Sequence, residues 1–194
     1  MNAMDDGGVP LHYVCTRDEA RSLIGTHKRY WVSDCGCREI QGGCKRSRMD
    51  VCLQFRMVTA ASPTGLKEAR LQDVEAILDE ARDKHLVTRP FRNEANPDET
   101  DGICFCCDDC CGYFIDPGGY GCDKGGMIQE TDLDSCTHCG LCVKVCYFGA
   151  RRLRGERLMV DPDKCYGCGL CLDVCPEACV KMVPRNRGAG AGPL

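Results

Sequence analysis

Aromatic residues make up only 6% of these 194 residues, with a single tryptophan, so a core built on large rings is not what holds the chain together. Neither sign of charge dominates. The 25 Lys and Arg against 29 Asp and Glu leave a net charge of −4, without the basic surplus that a phosphate backbone attracts, and nucleic-acid binding is disfavoured. No apolar run approaches the roughly eighteen residues of a membrane span, and no lipidation motif is visible. The stretch Met1-Asn2-Ala3-Met4-Asp5-Asp6-Gly7-Gly8 has acids where a secretory signal needs bases. The expectation is a soluble, cytoplasmic protein. A Gly-rich nucleotide fingerprint, a nucleophile elbow and paired catalytic carboxylates are also missing, which argues against an enzyme with a substrate of its own.

Cysteine is what the chain has in excess, with twenty residues. In a reducing cytosol clustered thiols become metal ligands more readily than disulfides. They fall into groups: Cys35, Cys37, Cys44 and Cys52, preceded by the isolated Cys15; then Cys104, Cys106, Cys107, Cys110 and Cys111, with Cys122 beyond; then a run from Cys136 to Cys179. Thr16-Arg17-Asp18-Glu19 reads as a capped helix start. Leu71, Val74, Ile77, Leu78, Ala81 and Leu86 recur at helical spacing with acids and bases opposite, the clearest helix of the chain. The stretch from Arg89 to Asp98, with two prolines, reads as a connecting loop. Gly118-Gly119-Tyr120-Gly121 and Gly125-Gly126 read as a flexible junction, placing one module at 1–124 and another at 125–184, with a mobile tail at 185–194. The basic runs Lys45-Arg46-Ser47-Arg48 and Arg151-Arg152-Leu153-Arg154 read as solvated surface rather than docking patches.

The last cysteine group is an internal repeat: Cys136-x2-Cys139-x2-Cys142-x3-Cys146, then Cys165-x2-Cys168-x2-Cys171-x3-Cys175-Pro176. Three thiolates at this spacing point from one tight loop to three corners of a cube, and a helix carries the fourth away. Soft sulfur donors select iron–sulfur clusters, whereas zinc sites usually take two close pairs separated by a longer loop. Gly140 and Gly169 follow Cys139 and Cys168, where a Cβ could collide with inorganic sulfur. Cys179 reads as a small core hydrophobe, and His138 as an exposed loop residue.

Over Met127 to Val183 this spacing resembles the bacterial two-cluster ferredoxins. The resemblance implies an α+β fold of two short helices and two short hairpins. It also implies two [4Fe–4S] clusters with crossed ligands, one on Cys136, Cys139, Cys142 and Cys175, the other on Cys165, Cys168, Cys171 and Cys146. Arg154-Gly155-Glu156 suits a hairpin turn, and Asp161-Pro162-Asp163 leads into the second motif. One departure stands out: Tyr147 follows Cys146 where the family usually has proline, implying a looser or more exposed turn.

Cys35-Gly36-Cys37-Arg38, with Cys44, Cys52 and the group Cys104 to Cys111, resembles an N-terminal extension of some ferredoxin-like proteins, a resemblance that carries no activity with it. On an extended strand Cys35 and Cys37 would share a face, and Cys106/Cys110 and Cys107/Cys111 would pair at i,i+4 on a helix. These nine thiols are read as at least one further site, a third iron–sulfur cluster or a zinc, in a small, mainly helical module. Cys35, Cys37, Cys44 and Cys52 make one four-ligand set; a mixed set with Cys104 to Cys111 is equally permissible. The functional expectation is an electron carrier, or an electron-transfer subunit, passing single electrons from a reductase to a terminal oxidoreductase, in an oxygen-poor setting. The alternatives are a redox or metal sensor using the N-terminal thiols, and an enzyme whose cluster lacks one protein thiolate.

Overall fold

Thr16 starts the first helix as its sequence requires: its hydroxyl accepts from the Glu19 backbone N–H, and the Glu19 carboxylate accepts from the Thr16 backbone. The computed structural model describes residues 9–57, 64–116 and 121–186. Its first part runs β1 (His12–Tyr13), α1 (Arg17–Gly25), β2 (Tyr30–Ser33), α2 (Gly36–Ile40), β3 (Cys52–Gln54), β4 (Lys67–Ala69), α3 (Leu71–Asp83), β5 (Val87–Arg92), β6 (Thr100–Cys106), α4 (Gly112–Ile115) and β7 (Cys122–Asp123). These strands form one seven-stranded sheet in the order β4-β2-β3-β6-β5-β1-β7, antiparallel except for the β1–β7 pair. The helix expected from Leu71 is α3. It buries Val74, Ile77, Leu78 and Ala81 in one core with Val32, Leu53, Ile103 and Phe105 of the sheet.

The expectation of a mainly helical N-terminal module is thereby corrected. Short runs such as Tyr30-Trp31-Val32-Ser33 carry strand-forming side chains, and their pairing is non-local. The loop expected from Arg89 is also corrected, since β5 takes Arg89 to Arg92. The Arg92 N–H bonds Leu11 O on the side of β1, and backbone alternation turns Pro90 to that same side, where β1 is only two residues long.

The second part runs β8 (Met127–Thr131), α5 (Leu141–Lys144), β9 (Arg151–Arg154), β10 (Arg157–Val160), a 3-10 turn at Pro162–Lys164, α6 (Leu170–Asp173) and β11 (Val180–Pro184). β9 and β10 form the expected hairpin over Gly155 and Glu156. The other pair is not a local hairpin: β8 pairs antiparallel with β11, joining the two ends of the repeat.

Gly125 and Gly126 of the expected junction take part in a set of hydrogen bonds. The Gly125 N–H donates to Tyr166 O at 2.9 Å, and Arg185 donates from its backbone to Gly126 O and from its side chain to Gly125 O, Met127 O and Cys165 O. Arg185, read as the start of a mobile tail, is therefore an anchor; Gly118 to Tyr120 and residues 187–194 lie outside the described residues. The scarce aromatics gather at this seam. Tyr113 and Phe114 of the first part meet Tyr147, Phe148 and Tyr166 of the second, with Phe148 and Tyr166 stacked at 4.2 Å. Tyr147 packs in both cores under the Arg46 guanidinium, so the departure from proline yields a half-buried seam residue rather than an exposed one. A Cβ at Gly125 would lie 2.4 Å from Val14 O and 3.2 Å from Tyr166 O. Gly125→Ala is therefore expected to destabilise the fold by about 2 kcal/mol, read as a lowered denaturation midpoint, because the clash is with backbone on both sides of the seam.

Candidate metal centres

The repeat folds around two thiol-lined cavities. Cys136, Cys139 and Cys142 line the first together with Cys175 of the other motif. Cys165, Cys168 and Cys171 line the second together with Cys146. Each loop turns through a glycine in the left-handed region, Gly140 at φ +75° and Gly169 at φ +80°, heading α5 and α6 respectively. The positive φ explains these glycines, since the contacts a Cβ would make there are with Leu153 and Thr16 side chains.

Backbone donors and one buried cation address these sulfurs. The His138 N–H donates to Cys136 Sγ at 3.4 Å. Burial pushes the Cys175 thiol up, but the Cys179 thiol and the backbone N–H groups of residues 177, 179 and 180 outweigh it and hold Cys175 below the ordinary thiol range. Burial raises Cys146 and takes Cys171 up to about 11, so these would be neutral thiols without a metal cation to displace their protons. Arg151 is only 3% exposed and borders both cavities; it donates to Cys142 Sγ at 3.4 Å, to Thr131 Oγ1 at 2.8 Å and to Gln129. The donor set fits a cubane cluster: soft sulfur, a fourth thiol arriving from outside each loop, and N–H groups aimed at sulfur.

The N-terminal thiols also converge, but not as either expected geometry. Cys35 caps α2 and Cys37 lies within it, so they are not on a strand. Cys104 and Cys106 end β6, Cys107 to Cys110 form a turn, and Cys111 caps α4, so the i,i+4 helix is absent too. Cys44 leaves the proposed early set and joins Cys107 and Cys110: Cys107 Sγ is 3.5 Å from both Cys44 Sγ and Cys110 Sγ. The other six thiols, Cys35, Cys37, Cys52, Cys104, Cys106 and Cys111, lie near enough to one another to shift each other's protonation. The neighbouring Cys111 and Cys35 thiols push Cys37 below the ordinary thiol range, and Cys104 and Cys111 do the same to Cys106. The thiolate is the form that binds metal. His12 Nε2 lies 3.9 Å from Cys104 Sγ; burial, then Arg89, pushes this imidazole down to about 4, leaving it neutral. Cys15 is buried, its thiol raised chiefly by that burial.

Three functional residues escaped the sequence: Arg38, Arg89 and Arg151. All three are buried, and none makes a salt bridge to a carboxylate among the described residues. Each faces sulfur instead. Arg38 lies close enough to Cys35, Cys44 and Cys110 for their sulfurs to hold its guanidinium charged, Arg89 donates to Cys111 Sγ at 3.2 Å and Cys106 Sγ at 3.8 Å, and Arg151 donates to Cys142. Arg151 is thus no part of a solvated basic run, although Arg152 and Arg154 are exposed. In the other run Arg46 pairs with Asp108 and Arg48 with Asp50 and Glu80. The only sequence signal was adjacency to cysteine, as in Cys37-Arg38. Two smaller readings also change. Cys179 is buried as expected, yet its Sγ sits 3.4 Å from Cys175 Sγ at the first cavity. His138 is not a free loop residue: at φ +54° its Nδ1 accepts from the Leu158 N–H.

Among the described residues no helix is long and apolar enough to cross a membrane. No curated protein matches the chain. Residues 135–179 match the family model described as a 4Fe-4S dicluster domain, so this segment is an iron–sulfur, ferredoxin-like module that binds 4Fe–4S cluster cofactor, with many further cysteines available for metal.

Proposed function

We propose that the protein relays single electrons between a reductase and a terminal oxidoreductase, as a free carrier or as a subunit of an oxidoreductase complex. In this reading two [4Fe–4S] clusters are held by Cys136, Cys139, Cys142 and Cys175 and by Cys165, Cys168, Cys171 and Cys146. The observation that carries it is the exchange of fourth thiols, which gives both cavities four sulfur donors from eight residues. When bound, each cluster supplies a one-electron acceptor. The chain's own residues hold it, exclude water with Leu158, Val174, Leu170 and Phe148, and present the Arg151 guanidinium to the charge gained on reduction. The N-terminal thiols, on this reading, hold at least one more metal in a module of residues 1–124, and the protein works in an oxygen-poor cytoplasm.

The test is iron and acid-labile sulfide per chain on protein purified without oxygen, with electron paramagnetic resonance after dithionite reduction. About eight irons and eight sulfides in the C-terminal part, with two interacting reduced centres and about two electrons taken up on titration, are expected. Fewer than about four irons after reconstitution would sink the two-cluster carrier.

A further inference from the structure

We propose that Cys44, Cys107 and Cys110 form a separate three-thiolate site for a single soft divalent cation of the zinc class, its fourth position open beside Cys44. This deepens the reading that the N-terminal thiols hold metal, and rests on it. The three Sγ atoms lie within 4.8 Å of one another, and among the described residues they are the one such trio of Cys, His, Asp or Glu donors. A tetrahedral ion with metal–sulfur bonds of about 2.3 Å sets its sulfurs roughly 3.8 Å apart, close to the 3.5 Å of Cys107 Sγ from each of its two neighbours, with the Cys44–Cys110 pair within 4.8 Å. A cubane instead places its thiolates on four different irons and spreads them well beyond that, which is why neither thiol-lined cavity of the repeat contains a comparable trio. The chain also presents the right local device: Cys107-x2-Cys110 in a tight turn after β6, with the third ligand from the loop after α2.

Charge gives a second, independent argument. Arg38 is fully buried, and its partners are Ser47 Oγ at 3.1 Å, Phe105 O at 3.2 Å and Arg48 O, with no carboxylate and with its Nε unpartnered. A buried guanidinium without a counter-charge is costly. A dication with three thiolates carries one net negative charge, which Arg38 balances. Binding breaks three S–H bonds at most, forms three metal–sulfur bonds and releases the protons to solvent, with no change of oxidation state. Cys107 and Cys110 are buried while Cys44 is half-exposed, so the uncovered side of the site is at Cys44.

The experiment adds zinc chloride, or cobalt chloride as a spectroscopic probe, to the full chain loaded with its clusters, and counts zinc and iron after desalting. The wild type is expected to retain about one zinc, and cobalt to give the sulfur charge-transfer and tetrahedral bands of a thiolate site. Cys44→Ala, at a half-exposed position, and Cys110→Ala should each lose that zinc and keep all iron. Zinc retained equally by Cys44→Ala, or no zinc in the wild type, overturns the proposal. So does a loss of about four irons in Cys110→Ala, which would assign the thiol to a cluster and leave the wider reading standing. If no N-terminal cysteine variant alters any metal count, both fall together.

Discussion

Cys146→Ala is expected to remove about four irons per chain, and Cys146→Ala combined with Cys165→Ala to remove no more than either alone, whereas Cys146→Ala with Cys136→Ala should remove about eight. The reasoning is geometric. Cys146 belongs by sequence to the first motif, but its side chain lines the cavity of Cys165, Cys168 and Cys171, and Cys175 does the reverse. Two substitutions at one cofactor act as a unit and do not add; two at different cofactors do. The opposite pattern of iron losses would mean that each motif holds its own cluster. Alanine is the right replacement because a serine oxygen could still ligate. Metal analysis together with the residual resonance signal reads the outcome, and Cys179→Ala serves as a control: it removes a thiol 3.4 Å from Cys175 while keeping the four sulfurs of the first cavity.

How much of this was legible in the sequence follows from how local each feature is. The repeat spacing, the Thr16 capping box, the α3 periodicity and the Gly155-Glu156 hairpin are each written within a few turns of chain, and each is found in the structure. The seven-stranded sheet is not local. Its strands are two to seven residues long, and β1 pairs with both β5 and β7, which arrive some eighty and a hundred residues later. Composition misled in the same way. A scarcity of aromatics excluded a ring-filled core, but could not reveal that five of them would be spent on one seam, Tyr147 among them.

The thiols were legible as metal chemistry and illegible as a partition. Cys35, Cys37, Cys44 and Cys52 looked like one set, yet Cys44 goes to Cys107 and Cys110, because α2 lies between Cys37 and Cys44. Buried arginine was the other blind spot. Charged residues are almost never fully buried unless paired, so a sequence reading assigns them to the surface by default. Here the partners are sulfurs. The same arrangement recurs at Arg38 and Arg89 among the N-terminal thiols and at Arg151 in the repeat.

Arg151→Met makes that electrostatic role measurable. Methionine roughly preserves the volume of the stem, so packing between the cavities should survive, and replacing a buried ion by an apolar group of similar size is often neutral for stability. What disappears is a positive charge that borders both cavities and touches Cys142. Reduction adds one negative charge at a centre, and a neighbouring cation favours that state by about 2 kcal/mol at an effective dielectric near 20, on the order of 100 mV for one electron. Arg151→Met is therefore expected to keep its iron and to shift the midpoint potentials negative by that order in an anaerobic redox titration. Arg152→Met, at the exposed neighbouring position, should shift them little, because solvent screens its charge. Unchanged potentials in an iron-replete Arg151→Met protein would restrict Arg151 to its structural bonds with Gln129 and Thr131, and would leave the N–H donors from residues such as His138 as the means by which this chain sets its potential.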